Sequence, residues 1–183
     1  MHTNQRTANL LGATALAVTD ELVSGPVAAS AASPSGAAAL IALHADPGVS
    51  VTELGRRVGL TQSAAVRMVD ALERSAMVER RRTANKFTWI YPTEKGRSAA
   101  EVLLHGRQAR LTAALAGLGE DEARTLGALL EKVLDGLYAT SRAGPDPDAA
   151  HHRICRLCDR TACTRDAHCP VGEAEKAARG ASA

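Results

Sequence analysis

Apolar and polar positions follow a helical rhythm along most of the chain. Residues 4–29 are rich in Ala, Leu and Val and are interrupted by Asp20 and Glu21. This predicts a helix ending near Gly25-Pro26 or slightly beyond. A second helix is predicted after Ser33, which suits the N-cap, with Pro34 at the first helical position. It carries Leu40, Ile41 and Leu43 and stops before Asp46-Pro47-Gly48. Ser50-Val51-Thr52-Glu53 then opens a short helix with Leu54 and Val58, and Gly59-Leu60 turns a tight corner. Thr61 is the N-cap type for a helix from Gln62 to about Arg74. Its Ala65, Met68, Val69 and Leu72 repeat at i, i+3, i+4, i+7 and define a buried face.

After Met77 the pattern changes. Val78 to Arg82 and Phe87 to Tyr91 are rich in β-formers and flank the polar Thr83-Ala84-Asn85-Lys86, a hairpin signal. Trp89 and Tyr91 are expected to pack this hairpin onto the domain. Two long helices follow, about Glu94–Leu118 and about Glu120–Arg142. The second carries a stripe of Leu126, Leu129, Leu130, Val133, Leu134 and Leu137. Neither this stripe nor the first helix can bury its whole apolar face within so small a module, which points to a second copy of the chain. The expected architecture is mainly α with a small β-hairpin wing: a winged helix-turn-helix with a dimeric α-helical interface. Residues 1–142 form that domain, 143–150 a linker, 151–172 a Cys-rich segment and 173–183 a disordered tail.

Composition sharpens this picture. Hydrophobic residues make up 45% and aromatics only 2% of the 183 residues, so the core is built from aliphatic side chains that favour helices. The formal net charge is +2, so a polyanionic partner must be argued from where the cations sit. No apolar run is expected to reach the roughly 18–20 residues that span a bilayer. Met1 to Leu16 lacks the basic, then apolar, then small-residue layout of a secretory signal. Both points place the protein in the cytoplasm with no membrane partner. No nucleophile–base set and no phosphate-cradling glycine loop is found, so an enzyme is not expected.

The chemistry concentrates in two places. If Ala65, Met68, Val69 and Leu72 face inward, then Gln62, Ser63, Ala64, Val66 and Arg67 face outward, where a helix in a major groove meets base edges. Gln pairs bidentately with adenine, Arg with guanine, and Val66 suits a thymine methyl. The hairpin adds Arg80, Arg81, Arg82 and Lys86 as candidate phosphate or minor-groove contacts. His44, at the end of the second helix, is a cap, a surface residue or the lining of a ligand pocket.

These stretches resemble the MarR-type multiple-antibiotic-resistance regulators. The resemblance is carried by Val51-Thr52-Glu53-Leu54-Gly55-Arg56-Arg57-Val58-Gly59-Leu60-Thr61-Gln62-Ser63, by Arg67-Met68-Val69-Asp70-Ala71-Leu72-Glu73, and by Met77-Val78-Glu79-Arg80-Arg81 and Pro92-Thr93-Glu94-Lys95-Gly96. It covers roughly residues 5–142. It implies an obligate homodimer with intertwined first and last helices, binding double-stranded DNA at a pseudo-palindromic operator. It further implies a repressor that releases DNA on a small-molecule effector or cysteine oxidation. The family's wing usually carries an Asp-Arg pair near its tip; Thr83-Ala84-Asn85-Lys86 stands there instead.

All four cysteines fall in one segment, Cys155, Cys158, Cys163 and Cys169, spaced C-x2-C-x4-C-x5-C. In a reducing compartment this clustering reads as metal or redox chemistry before a structural disulfide. Four thiolates complete a tetrahedral set, with His151, His152 and His168 as substitutes, and Arg153, Arg156, Arg160 and Arg165 offset their charge. Zinc ranks first, an iron–sulfur cluster second, and a metal-free thiol switch or inert tail third. The spacing matches neither a standard zinc ribbon nor the usual ferredoxin run. The expected function is a DNA-binding regulator whose cysteine cluster responds to metal or redox state. Two alternatives stand beside it: a small-ligand-responsive repressor with a purely structural cysteine tail, and a zinc-bound protein-interaction module without DNA binding.

Overall fold

In a computed structural model, residues 2–82, 87–144, 146–165 and 167–180 are described. The helices are α1 (His2–Leu22), α2 (Pro34–Ala45), α3 (Val51–Val58), α4 (Gln62–Arg74), α5 (Glu94–Leu115), α6 (Glu120–Arg142), α7 (Ala150–Cys155), α8 (Arg160–Thr164) and α9 (Pro170–Gly180). The strands are β1 (Val78–Arg82) and β2 (Thr88–Pro92). A π-helical turn over Val23–Val27, with Pro26 inside it, prolongs α1.

The helix starts obey local capping chemistry. The side chains of Ser33, Ser50, Thr61 and Thr93 each accept a hydrogen bond from the backbone N–H three residues on. At the corner between α3 and α4, Gly59 adopts φ 73°, a left-handed conformation that glycine reaches without the Cβ clash.

α2 is the centre of the core. Its residues Ala37 to Leu40 and Leu43 have almost no exposed surface. Leu54, Val69, Leu72, Ile90, Ala100 and Leu103 close around it from α3, α4, β2 and α5. Ala65, Met68, Val69 and Leu72 are buried, the four positions the helical rhythm marks out. β1 and β2 pair antiparallel, Val78 opposite Pro92 and Arg82 opposite Thr88. Val49 adds a bridge to Ile90 on the other edge of β2.

Four features depart from the expectations. Trp89 and Tyr91 are only half-buried, and Ile90 between them, fully buried, fixes the hairpin to the core. Alternation explains this: Ile90 alone of the three faces inward. Residues 147–155, read partly as linker, are helical, with Ala149 and Ala150 buried. Pro170–Gly180, read largely as tail, is helical because Val171 packs with Tyr138 of α6 and Ala150 of α7. Finally, Asn4–Val27 is long and apolar enough to cross a membrane by length and composition, with mean hydropathy 1.2. Its alanines and leucines offset Asp20 and Glu21 in the average.

Candidate nucleic-acid interface and cysteine module

α4 buries one side and presents the other. Gln62, Ser63, Val66 and Arg67 are exposed along its first two turns, while Ala64 is half-buried. Behind it, α3 is braced by charge. Glu53 takes hydrogen bonds from Arg56 and Arg57 at 2.8–2.9 Å, and Arg57 also reaches Asp46 at 2.8 Å. The hydrogen bond from Arg56, seconded by Arg57, holds the Glu53 carboxyl down to about 2 against the opposing effect of burial.

The hairpin cations do not share one role. Arg80 turns back onto α4, bonding Asp70 at 2.6 Å and also pairing with Glu73. These contacts make it a brace between wing and helix, whereas charge alone suggests a phosphate contact. Arg81 pairs with Glu79 and lies over the Tyr91 ring, 4.5 Å from its centroid. Tyr91 is the diagonal cross-strand neighbour of Arg81, so the pleat itself brings them together. Arg82 is exposed at the hairpin's end. Lys86 lies outside the described residues. Glu53, Asp70 and Glu73 were missed as the fasteners of this surface, although the i, i+3 and i, i+4 spacing of Glu53, Arg56 and Arg57 signals the first network.

Large apolar side chains remain open on several elements, α1 and α6 among them. Leu10, Leu11 and Leu16 of α1 and Leu129, Leu130 and Leu137 of α6 are 42–70% exposed.

The cysteine segment is folded against this domain. α7 packs on α3, and His152 is buried there. Burial first, then the neighbouring His151, pushes the His152 imidazole down to about 3. Arg153 ties the segment to the end of α6, donating to the Ser141 hydroxyl at 3.1 Å and to the Asp146 carbonyl at 3.1 Å. His151 Nδ1 faces the Glu175 carboxylate at 3.0 Å.

All four cysteines are free thiols and all four line one cavity of about 510 Å³, with His151 and His168. Within it Cys155 lies beside Cys158, and Cys163 beside Cys169. The neighbouring Cys155 thiol lowers Cys158 to about 6, assisted by Arg107 and Arg160 and opposed by burial. Cys158 in turn, together with burial, pushes Cys155 up. Burial, first of all, also raises Cys163. Among the described residues no three His, Cys, Asp or Glu side chains converge closely enough to hold a metal ion as they lie. The donor type and number suit a thiophilic cation; the separation of the two pairs does not until they close. Arg107, from the middle of α5, was not legible as a neighbour of Cys158, since only the folded segment brings it there.

A second cavity, about 550 Å³, lies between α2, α5 and α8 and is lined by His44, Glu101, His105, Gln108, Arg160 and Arg165 among others. His44 is thus an exposed helix-end residue that also borders a pocket.

Residues 33–86 match a family model described as the MarR family. No curated protein matches the chain. Among solved structures, a MarR family protein from Bacillus stearothermophilus is 24% identical with a TM-score of 0.65, covering 72% of this chain and 93% of its own. MepR, a transcription regulator of the Staphylococcus aureus multidrug efflux pump MepA, is 17% identical with a TM-score of 0.64, covering 71% and 97%. The Mycobacterium tuberculosis MarR family protein Rv2887, in complex with p-aminosalicylic acid, is 23% identical with a TM-score of 0.56, covering 69% and 96%. The α4 face, the hairpin beside it and the long flanking helices are therefore parts of a known architecture: residues 33–86 match the MarR family model, and the chain has the winged helix-turn-helix fold seen in MarR-type regulators.

Proposed function

We propose that this protein is a cytoplasmic DNA-binding transcription regulator, acting as a homodimeric repressor on a pseudo-palindromic operator. Its cysteine segment makes that binding responsive to metal or redox state. One observation carries the reading: the amphipathic α4 exposes Gln62, Ser63, Val66 and Arg67 beside a hairpin that ends in Arg81 and Arg82. Such a helix enters the major groove with its first turns against base edges, and cations beside it meet phosphates. Dimerisation draws support from the open leucines of α1 and α6, which one chain leaves in water. The same need accounts for the apolar α1 as an interface helix.

The cavity bordered by His44, His105 and Arg160 supports a second input, a small-molecule effector. Rv2887, of similar fold, is recorded with p-aminosalicylic acid.

Light scattering and fluorescence anisotropy with labelled duplex DNA test this reading. A dimer mass, and a binding constant falling steeply and linearly with log salt, are expected. A monomer, or binding indifferent to salt, contradicts it.

A further inference from the structure

The cysteine segment is too small to hold itself together. Its helices have six, five and eleven residues, all below the roughly 12–15 at which isolated helices become even marginal. Among the described residues its buried apolar side chains amount to Ala149, Ala150 and Val171, the last two against Tyr138 of α6. Small modules with so little core are normally completed by a disulfide or a metal. The sulfurs reach the cavity from four places: Cys155 from α7, Cys158 from the turn after it, Cys163 from α8, and Cys169 from the cap of α9. Two local features hold them as ligand knuckles. The Cys158 N–H donates to the Cys155 carbonyl at 3.0 Å, which folds the C-x2-C turn. The Gly172 N–H donates to the Cys169 sulfur at 3.4 Å, so that sulfur caps α9. Arg160 lines the same cavity and offsets the negative charge of a filled thiolate set.

We propose that Cys155, Cys158, Cys163 and Cys169 close on a single thiophilic divalent cation of the zinc class, and that filling this site fixes α7 on the flank of α3. Binding is redox-neutral. Each thiol still protonated gives its proton to solvent, the cation sheds its water ligands, four sulfur–metal bonds form, and the site carries two negative charges. The mechanical link is short. His152, one helical turn before Cys155, is buried beside Arg57 in a crevice that Cys155 and Cys158 also line. Arg153 crosses Gly59, at the corner between α3 and α4, so close that a Cβ there would stand 3.5 Å from its Cγ. Drawing the two thiol pairs together therefore acts on the helix that supports α4. The site itself stands whether or not the chain binds DNA; its effect on an operator rests on the regulator reading.

The test uses the full chain, purified under reducing conditions, stripped by chelator and titrated with cobalt(II), then zinc, without oxygen. The expected result is one cobalt per chain with tetrahedral ligand-field bands and sulfur-to-cobalt charge transfer, displaced by zinc. Cys163→Ser and Cys169→Ser should each weaken binding at least about tenfold, the floor set by losing even an outer-shell partner. Cys163 is exposed, so the metal-free Cys163→Ser protein should melt like the metal-free parent. Zinc should also slow hydrogen exchange at the amides of α7 and α3. The proposal is overturned by absence of the sulfur charge-transfer band, by affinity unchanged in both cysteine variants, by α7 exchange unaffected by zinc, or by an iron-loaded brown protein on anaerobic purification. None of these readouts involves DNA, so failure of operator binding leaves them intact.

Discussion

Replacing Arg80 by alanine separates a brace from a DNA contact. Its guanidinium bonds Asp70 at 2.6 Å and also pairs with Glu73, while its side chain is 27% exposed. Charge-assisted hydrogen bonds are worth about 1.5–3 kcal/mol when well shielded, and exposed ion pairs about 0.2–1 kcal/mol. Asp70 and Glu73 are 48% and 40% exposed, which places the pair of contacts between these limits, at about 1–2 kcal/mol. A chain of this size loses about 2–4 °C in Tm per kcal/mol. The expected outcome of Arg80→Ala is therefore a Tm drop of about 2–8 °C, with the slope of log K against log salt unchanged. Arg82→Ala should do the reverse. Each phosphate contact contributes about 0.9 to that slope, and a dimer presents the residue twice, so the slope should shrink by about 1.8 at nearly constant Tm. Thermal melts and anisotropy titrations at several salt concentrations provide both numbers. A slope loss in Arg80→Ala as large as in Arg82→Ala, with Tm unmoved, would refute the assignment of Arg80 as a brace.

Three further outcomes are expected. A Cβ on Gly96 would stand 1.9 Å from the Met77 carbonyl oxygen, so Gly96→Ala must push α5 away from the hairpin's base; a loss of about 3 kcal/mol or more in urea unfolding is expected, and a near-neutral result contradicts this packing. His152 is neutral when folded down to about 3, against an ordinary value of 6.5. Below pH 6.5 the unfolded chain therefore takes up a proton that the folded one refuses, and stability falls with falling pH by up to about 1.4 kcal/mol per unit; His152→Asn should flatten this slope in urea midpoints of the metal-free protein, and an unaltered slope assigns it elsewhere. Leu130→Glu with Leu137→Glu places charge on the open stripe of α6, and light scattering should return a monomer mass; an intact dimer moves the interface off that stripe.

The amphipathic core was legible because local chemistry and tertiary packing agree there. Ser33, Ser50 and Thr61 cap where their types suggest, and the 65, 68, 69, 72 rhythm is the buried face of α4. The hairpin was legible from two runs of β-formers around a polar turn. What escaped depends on long-range folding. Arg80 reads as one of three consecutive cations until the hairpin folds back and brings Asp70 and Glu73 beneath it. α9 escaped because its sequence is Ala- and charge-rich, and its order rests on Val171 meeting Tyr138, a contact 33 positions away in the chain. The clustering of the cysteines was plain in their spacing; their meeting around one cavity depends on how α7, α8 and α9 pack.

A dimer of this chain should bind duplex DNA sequence-specifically through α4. Selection of bound sites from a pool of random duplexes by the full chain, followed by sequencing, tests it most directly. An inverted repeat should be enriched, with half-site centres about one helical turn, roughly 10–10.5 base pairs, or a multiple of it apart, and that enrichment should be lost in Gln62→Ala with Arg67→Ala. A bound pool no different from the starting one, or a repeat still enriched by the doubly substituted chain, would contradict it.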